Sequence, residues 1–265
     1  MKKIFALFMV IILLIAPFNV SCETSLKALD EHYFVDENGV LVERIGAYSE
    51  IEYIPVGVTK INEFGFGTDT SEVVKKIITP WTCKSFNSYS VKFMGSRDFT
   101  HVGIANPKGI DLIISDGCEE IICQRQDVII PYNINSVKIP DSVEYISELA
   151  LGTWYNNTVP APGSNGPPVG VNPIQDFIIY CYEGSYAQSY AEKYGIAYFL
   201  LEPIVGDCTG DDEFDVSDAI RIKRYLAKED VPIFERCADV NFDNKIDVKD
   251  CLLIKKFLAG FPIEN

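Results

Sequence analysis

The chain has 265 residues, enough for one sizeable core or two smaller domains. Hydrophobic residues make up 48% and aromatic residues 12%, a composition that excludes disorder as the default state. With 38 acidic against 23 basic residues the formal charge is −15, which argues against nucleic-acid phosphate as a main partner and suits calcium or basic partners.

The chain opens "MKKIFALFMVIILLIAPFNVSCETS". Lys2 and Lys3 form a positive start, and Ile4 to Ala16 form an apolar run too short for a bilayer span. Pro17 and small residues near Ser21 follow, so residues 1–22 read as a secretory signal peptide, which predicts a secreted, extracellular protein. A lipid anchor on Cys22 is the competing reading, although "NVSC" lacks a leucine three residues before the cysteine. No later segment is long and apolar enough to span a membrane. Eight cysteines are present, with no CxxC pair, and the only histidines are His32 and His101, so zinc is not indicated. Cys208 and Cys237 lie near the starts of two acidic loops and can either pair or stay as free thiols.

Residues 23–203 carry no GxSxG, P-loop or HExxH motif and no marked carboxylate pair. They do carry a loose repeat. "YIPVGVTKINEFGFG" at 53–67 places Ile54, Pro55, Val58, Ile61 and Phe66 at spacings that "VKIPDSVEYISELALG" at 137–152 repeats with Ile139, Pro140, Val143, Ile146 and Leu151. "VVKKIITPWTCKSFNSYSV" at 73–91 is a degenerate copy. Short β-rich runs returning after some two dozen residues predict a solenoid in which no unit buries its apolar side alone. These runs resemble BspA-like leucine-rich repeats of secreted bacterial proteins. The opening "DENGVLVERIGAYSEIEYIP" is similar to the strand pair that caps such arrays, and "DFIIYCYEGSYAQSYAEKYGIAYFLLE" to their closing unit, with a helix over 186–194. Residues 92–136 fit the repeat poorly, and the Pro/Gly-rich stretch after Trp154 reads as an insertion. The resemblance implies an extended surface for a protein or glycan. Trp81 is expected to pack against neighbouring repeats, while for Trp154 and Tyr155 packing and sugar stacking are both open.

The C-terminal part contains a clear duplication. "GDCTGDDEFDVSDAIRIKRYLAK" at 206–228 and "ADVNFDNKIDVKDCLLIKKFLAG" at 238–260 align at an offset of 32 residues. Asp207, Thr209, Asp211, Asp215 and Asp218 match Asp239, Asn241, Asp243, Asp247 and Asp250, at positions one, three, five, nine and twelve of a loop. That is the oxygen spacing of a calcium loop, in which position seven, here Glu213 and Lys245, offers only its backbone carbonyl. Two loops predict two calcium ions. Position six, usually glycine, is Asp212 and Asn244, which tolerate positive φ better than most residues. Thr209 is a weaker ligand than Asn241, so the first loop is expected to bind calcium less tightly. Phe214 and Ile246 at position eight are expected to bring the loops together. Behind the loops, Ala219, Ile222, Tyr225 and Leu226 share one helix face, as do Cys251, Ile254, Phe257 and Leu258, and these faces are expected to bury against each other.

A duplicated calcium loop followed by a helix, with "KRYL" and "KKFL" at equivalent places, resembles a type I dockerin. The fold class that follows is multidomain: a β-rich leucine-rich-repeat solenoid over 23–203, then a small all-α calcium-binding dockerin over 204–265. The resemblance implies calcium-dependent folding and docking onto a cohesin module of a scaffoldin, the scaffolding protein of a cellulosome. Its recognition positions fall on Val216, Ser217, Ile220, Arg221, Lys223 and Arg224 in the first repeat and on Val248, Lys249, Leu252, Leu253, Lys255 and Lys256 in the second. Ser217 stands opposite Lys249 and Arg221 opposite Leu253, so one docking orientation is expected, centred on Leu252 and Leu253. The linker "LEPIVG" is short, so the modules should sit close together. The leading reading is a secreted, non-enzymatic cellulosome subunit in plant polysaccharide degradation. The rivals are a polysaccharide hydrolase with unrecognised catalytic residues and a surface adhesin or spacer.

Overall fold

The computed structural model describes residues 26–63, 65–66, 73–91, 109–123, 134–156 and 169–261. Residues 1–22, read above as a signal peptide, most of the Pro/Gly-rich stretch read as an insertion, and much of 92–136 lie outside the described residues.

A β-rich domain precedes a small helical one. Its strands are β1 (Lys27–Ala28), β2 (Tyr33–Val35), β3 (Val40–Arg44), β4 (Ile51–Tyr53) and β5 (Lys60–Ile61). Next come β6 (Lys76–Ile78), β7 (Ser85–Asn87), β8 (Ile110–Ile113), β9 (Glu120–Ile122) and β10 (Ile134–Lys138). Last are β11 (Tyr145–Ile146), β12 (Thr153–Asn156), β13 (Gly170–Pro173), β14 (Ile178–Cys181) and, after helix α1 (Tyr186–Tyr194), β15 (Ala197–Leu200). Successive strands alternate between two sheets. One runs β1-β2-β3-β5-β7-β9-β11 and the other β15-β14-β10-β8-β6-β4, while β12 and β13 pair by themselves. Pairing is parallel throughout the second sheet and from β3 onward in the first. Only the opening β1-β2-β3 pairs and the β12-β13 pair are antiparallel.

Each unit therefore runs from a strand in the six-stranded sheet, through a tight turn, to a strand in the other. Equivalent residues stack between the sheets: Ile77, Leu112, Val137 and Ile179 on one side, Ile61, Phe86, Ile121 and Ile146 on the other, all buried. Val58, Cys83, Cys118 and Val143 fill the bend between them. Parallel strands covered on one face only must hide apolar side chains in this alternating way. Neighbouring turns are tied by hydroxyls: Gly57 donates its N–H to Thr82 Oγ1 (3.0 Å) and Gly117 to Ser142 Oγ (2.8 Å). At the far end Ser185 caps α1, its hydroxyl accepting from Gln188 N–H at 3.2 Å, and Gly195 at φ 68° ends the helix.

The residues 110–123 form one of these units, although they fit the repeat poorly in sequence. Cys118 stands at the bend, as Cys83 does in the unit before it, where two other units have valine. Trp154 packs against the core, whereas Tyr155 on β12 is 52% exposed.

The helical domain contains α2 (Val216–Leu226), α3 (Glu235–Ala238) and α4 (Val248–Leu258). Its core joins Cys208 and Val240, the second residue of each loop, to Ala219, Ile222, Ala238, Cys251 and Ile254. The expected helix faces are half right. Tyr225, Leu226, Phe257 and Leu258 are exposed, because the core rests on the first two turns of α2 and α4 and the last turns run past it. Phe214 and Ile246 both pack on this core, and Phe214 also meets the Phe257 ring edge-on at 5.1 Å. Cys208, Cys237 and Cys251 are free, buried thiols.

The two domains touch along the row of turns that follows the six-stranded sheet. Tyr182 packs on Phe234 with ring centroids 4.9 Å apart, and Cys237 and Leu201 complete that apolar patch. Around it, Lys138 meets Asp212 at 2.6 Å, and Arg236 pairs with Asp141 and donates to the Glu183 carbonyl at 2.6 Å. Trp81 lies under Arg221 and Arg224, whose guanidinium carbons stand 5.3 and 5.5 Å from ring centroids. Trp81 thus contacts the helical domain, a role its packing among repeats did not suggest.

Candidate functional site

In the first loop the chain wraps around Asp207. Its Oδ1 accepts from Gly210 N–H (2.7 Å) and Asp211 N–H (3.3 Å), and its Oδ2 from Asp212 N–H (3.0 Å). Asp218, at position twelve, reaches back across the loop. Its Oδ1 accepts from the N–H groups of Cys208 (2.7 Å) and Thr209 (3.1 Å), and its Oδ2 from Asp215 N–H (2.9 Å). The Thr209 hydroxyl stands 3.2 Å from both Asp207 Oδ1 and Asp218 Oδ1, so positions one, three and twelve converge. Asp215 caps α2 by accepting from Ser217 N–H at 2.6 Å, and with Asp218 it completes a capping box. Asp211 Oδ1 accepts from Glu213 N–H (3.0 Å), and the Glu213 side chain is exposed.

The second loop repeats this wiring. Asp239 accepts from Asp243 N–H (3.1 Å) and Asn244 N–H (2.7 Å). Asp250 accepts from Val240 (2.9 Å), Asn241 (3.3 Å) and Asp247 (2.8 Å), and Asp247 caps α4 at Lys249 N–H (2.6 Å). Asn241 Oδ1 takes a second bond from Asp243 N–H (2.8 Å), while Lys245 is exposed. Position six is left-handed in both loops, at φ 68° for Asp212 and 62° for Asn244. Position four is left-handed too, at 73° for Gly210 and 57° for Phe242. The phenylalanine there gives no sequence cue to that conformation.

Asp207, Asp218 and Asp250 are almost wholly buried. Burial pushes the Asp207 and Asp218 carboxyls above the usual range, the neighbouring carboxylates add to the effect, and the N–H donors oppose it. The exposed Asp215 and Asp243 shift down instead, through Ser217 and Lys249 respectively. Among the described residues no three His, Cys, Asp or Glu side chains converge as a ready-made metal cluster. The donor set nevertheless fits a hard dication. Loop one brings together buried, mutually repelling oxygens, which such a charge relieves. In loop two a cation already stands among the carboxylates: Lys249 Nζ lies 3.1 Å from Asp243 and 3.6 Å from Asp247. The residues that would hold calcium are Asp207, Thr209, Asp211, Asp215 and Asp218 in one loop, and Asp239, Asn241, Asp243, Asp247 and Asp250 in the other, with the carbonyls of Glu213 and Lys245. The ion would neutralise these carboxylates and fix where each helix starts.

Two loops of this kind, each capping a short helix and sharing one small core, define a duplicated calcium-loop module. Residues 205–259 match the family model of the dockerin type I domain, so the C-terminal domain is a type I dockerin, a calcium-binding, cohesin-binding module. No curated protein and no solved structure matches the chain. Among the described residues no helix is long and apolar enough to cross a membrane.

The residues expected at the partner face divide. Val216, Ile220, Val248 and Leu252 are 60%, 49%, 60% and 51% exposed, and Lys223, Lys249 and Lys256 also face solvent. Ser217, Arg224 and Lys255 are half-buried. Arg221 does not face outward: it is 8% exposed, donates to the Pro232 carbonyl at 2.8 Å and stacks on Trp81. Leu253 is likewise half-buried against the dockerin core, which leaves Leu252 alone of the expected leucine pair at the surface. Arg221 resists reading from sequence because its burial is created by another domain.

Proposed function

We propose that this chain is a secreted cellulosome subunit. Its dockerin binds two calcium ions and docks onto a cohesin of a scaffoldin. It thereby tethers a leucine-rich-repeat module that recognises a protein or carbohydrate during plant polysaccharide degradation. The observation that carries the proposal is the dockerin match over both loop–helix repeats, residues 205–259. For the preceding domain, alternation of parallel strands between two sheets supports a solenoid of the BspA-like kind, since each unit buries its apolar side only on its neighbours. A row of residues in strand register, Tyr53, Ile78, Ile113, Lys138, Tyr180 and Phe199, crosses its six-stranded sheet, with Lys138 in its middle held by the dockerin's Asp212. Its ends, Tyr53 and Phe199, are 65% and 57% exposed, and apolar and aromatic ground of this sort suits a ligand face. A pull-down of the full chain with cohesin modules, with calcium and with EGTA, tests the proposal. Capture that requires calcium is expected; capture that EGTA leaves unchanged, or no capture by any cohesin, rejects it.

A further inference from the structure

We propose that the repeat domain grips the first dockerin repeat along its row of turns, so that a cohesin docks through the second repeat alone. The inference rests on the cohesin reading above and adds to it which face is used and what decides the choice.

The contacts between the domains fall on one side of the dockerin. Loop one supplies Asp212 to Lys138, whose Nζ also donates to the Gly210 carbonyl at 3.3 Å. Helix α2 supplies Arg221 and Arg224 to Trp81. The connection to loop two supplies Phe234 to Tyr182, and Arg236 to Asp141 and the Glu183 carbonyl. Charges match across the seam: Asp116, buried in the turn after β8, faces Arg221, and Asp141 faces Arg236. Among the described residues, none of the contacts named here comes from helix α4. Part-buried cation–ring and ion-pair contacts around a buried apolar patch have the composition of a specific interface, not of a loose tether.

The two repeats, alike in backbone, are thereby made unequal. On α2 the apolar residues Val216 and Ile220 remain exposed, but the arginines beside them are held by Trp81. A partner lying along α2 therefore meets the turn row at its flank. On α4 Val248 and Leu252 are equally exposed, and two lysines, Lys256 and Lys249 (the latter paired with Asp243 and Asp247), stand beside them at the surface, against the one exposed Lys223 on α2. In a chain of formal charge −15, that stripe of apolar residues flanked by lysines fits a cohesin face that offers apolar ground bordered by carboxylates.

The test uses the full chain in calcium, with immobilised cohesin modules and circular dichroism to confirm that each variant is folded. Leu252→Asp is expected to weaken capture about a hundredfold, a central-contact effect, and Ile220→Asp by less than about threefold. Adding Trp81→Ala and Asp141→Ala to the Leu252→Asp chain is expected to restore part of the binding, because the freed α2 face then becomes usable. Equal losses from Leu252→Asp and Ile220→Asp, or a larger loss from Ile220→Asp, overturn the proposal while leaving the cohesin reading intact. A wild-type chain that captures no cohesin overturns the reading itself.

Discussion

The two dockerin repeats share their local structure almost atom for atom but differ in their surroundings. Both have left-handed residues at positions four and six, a capping box at nine and twelve, and a buried position-twelve carboxylate that accepts three backbone N–H groups. Around the first, the repeat domain supplies Lys138, Trp81 and Tyr182; around the second, the nearest cation is its own Lys249. Duplication of sequence thus sets the backbone, and the neighbouring domain sets the surroundings of each copy.

Calcium removal gives the largest contrast. At calcium a thousandfold above its Kd, each ion adds about 4 kcal/mol to the fold, so chelation should cost most of the dockerin's stability. The repeat domain still holds α2 when the ion leaves, whereas α4 has no such support. Hydrogen exchange in EGTA is expected to open α4 before α2. Simultaneous opening, or α2 opening first, would show that the interdomain contacts carry little energy.

Next in size are Asp218→Ala and Asp250→Ala. Each leaves buried N–H donors without an acceptor, at a cost of about 3 kcal/mol. Urea unfolding in EGTA should give closely similar losses, because the three lost backbone bonds are the same in both repeats and Asp218 adds only the Thr209 hydroxyl. A clearly larger loss for Asp218→Ala would mean that loop one's wiring also supports the interface.

What the sequence carried was local. Spacing of oxygen-bearing residues identifies the dockerin, since a twelve-residue loop must bring those atoms to one place, and positions six and twelve behave accordingly. Helix periodicity found Ala219, Ile222, Cys251 and Ile254 but overran to Tyr225 and Phe257, because periodicity does not say where a small core ends. The contact between Trp81, expected among the repeats, and Arg221, expected at the partner face, is not legible in the sequence. They lie 140 residues apart and meet only once both domains are folded. The unit at 110–123 shares its bend residue type with the unit before it, Cys118 matching Cys83, while two other units have valine there.

The acidity of loop one yields a smaller effect whose sign depends on calcium. Burial raises Asp207 and Asp218 in the fold, so without calcium the folded state holds their protons more tightly than the unfolded chain does. Their contribution is then most favourable below the ordinary carboxylate range and is lost as pH rises through their raised values. With calcium the order reverses, since the ion binds the ionised form and protons compete with it. Without calcium, Asp215 and Asp243, shifted down, oppose that loss. Thermal melts of the full chain from acid to neutral pH are therefore expected to slope less steeply upward in EGTA than in calcium for the dockerin transition. Parallel slopes would contradict the buried-carboxylate account of this loop.

The smallest effect concerns position four. Gly210 occupies it in loop one and Phe242 in loop two, both left-handed. A phenylalanine pays a steric penalty of about 1 kcal/mol there that glycine does not, and the Phe242 ring, 65% exposed, returns little by burial. Phe242→Gly is therefore expected to stabilise the dockerin by up to about 1 kcal/mol, read as a small rise in the urea midpoint. The reciprocal change behaves differently. A Cβ at Gly210 would come within 3.3 Å of Asp116 Cβ in the repeat domain and 3.9 Å of Phe234. Gly210→Phe must then carry both the backbone penalty and displacement of the turn row, and it should loosen the grip on α2. If Gly210→Phe cost no more than Phe242→Gly gains, the two loops would be equivalent in context as well as in backbone, and the repeat domain would not be distinguishing between them.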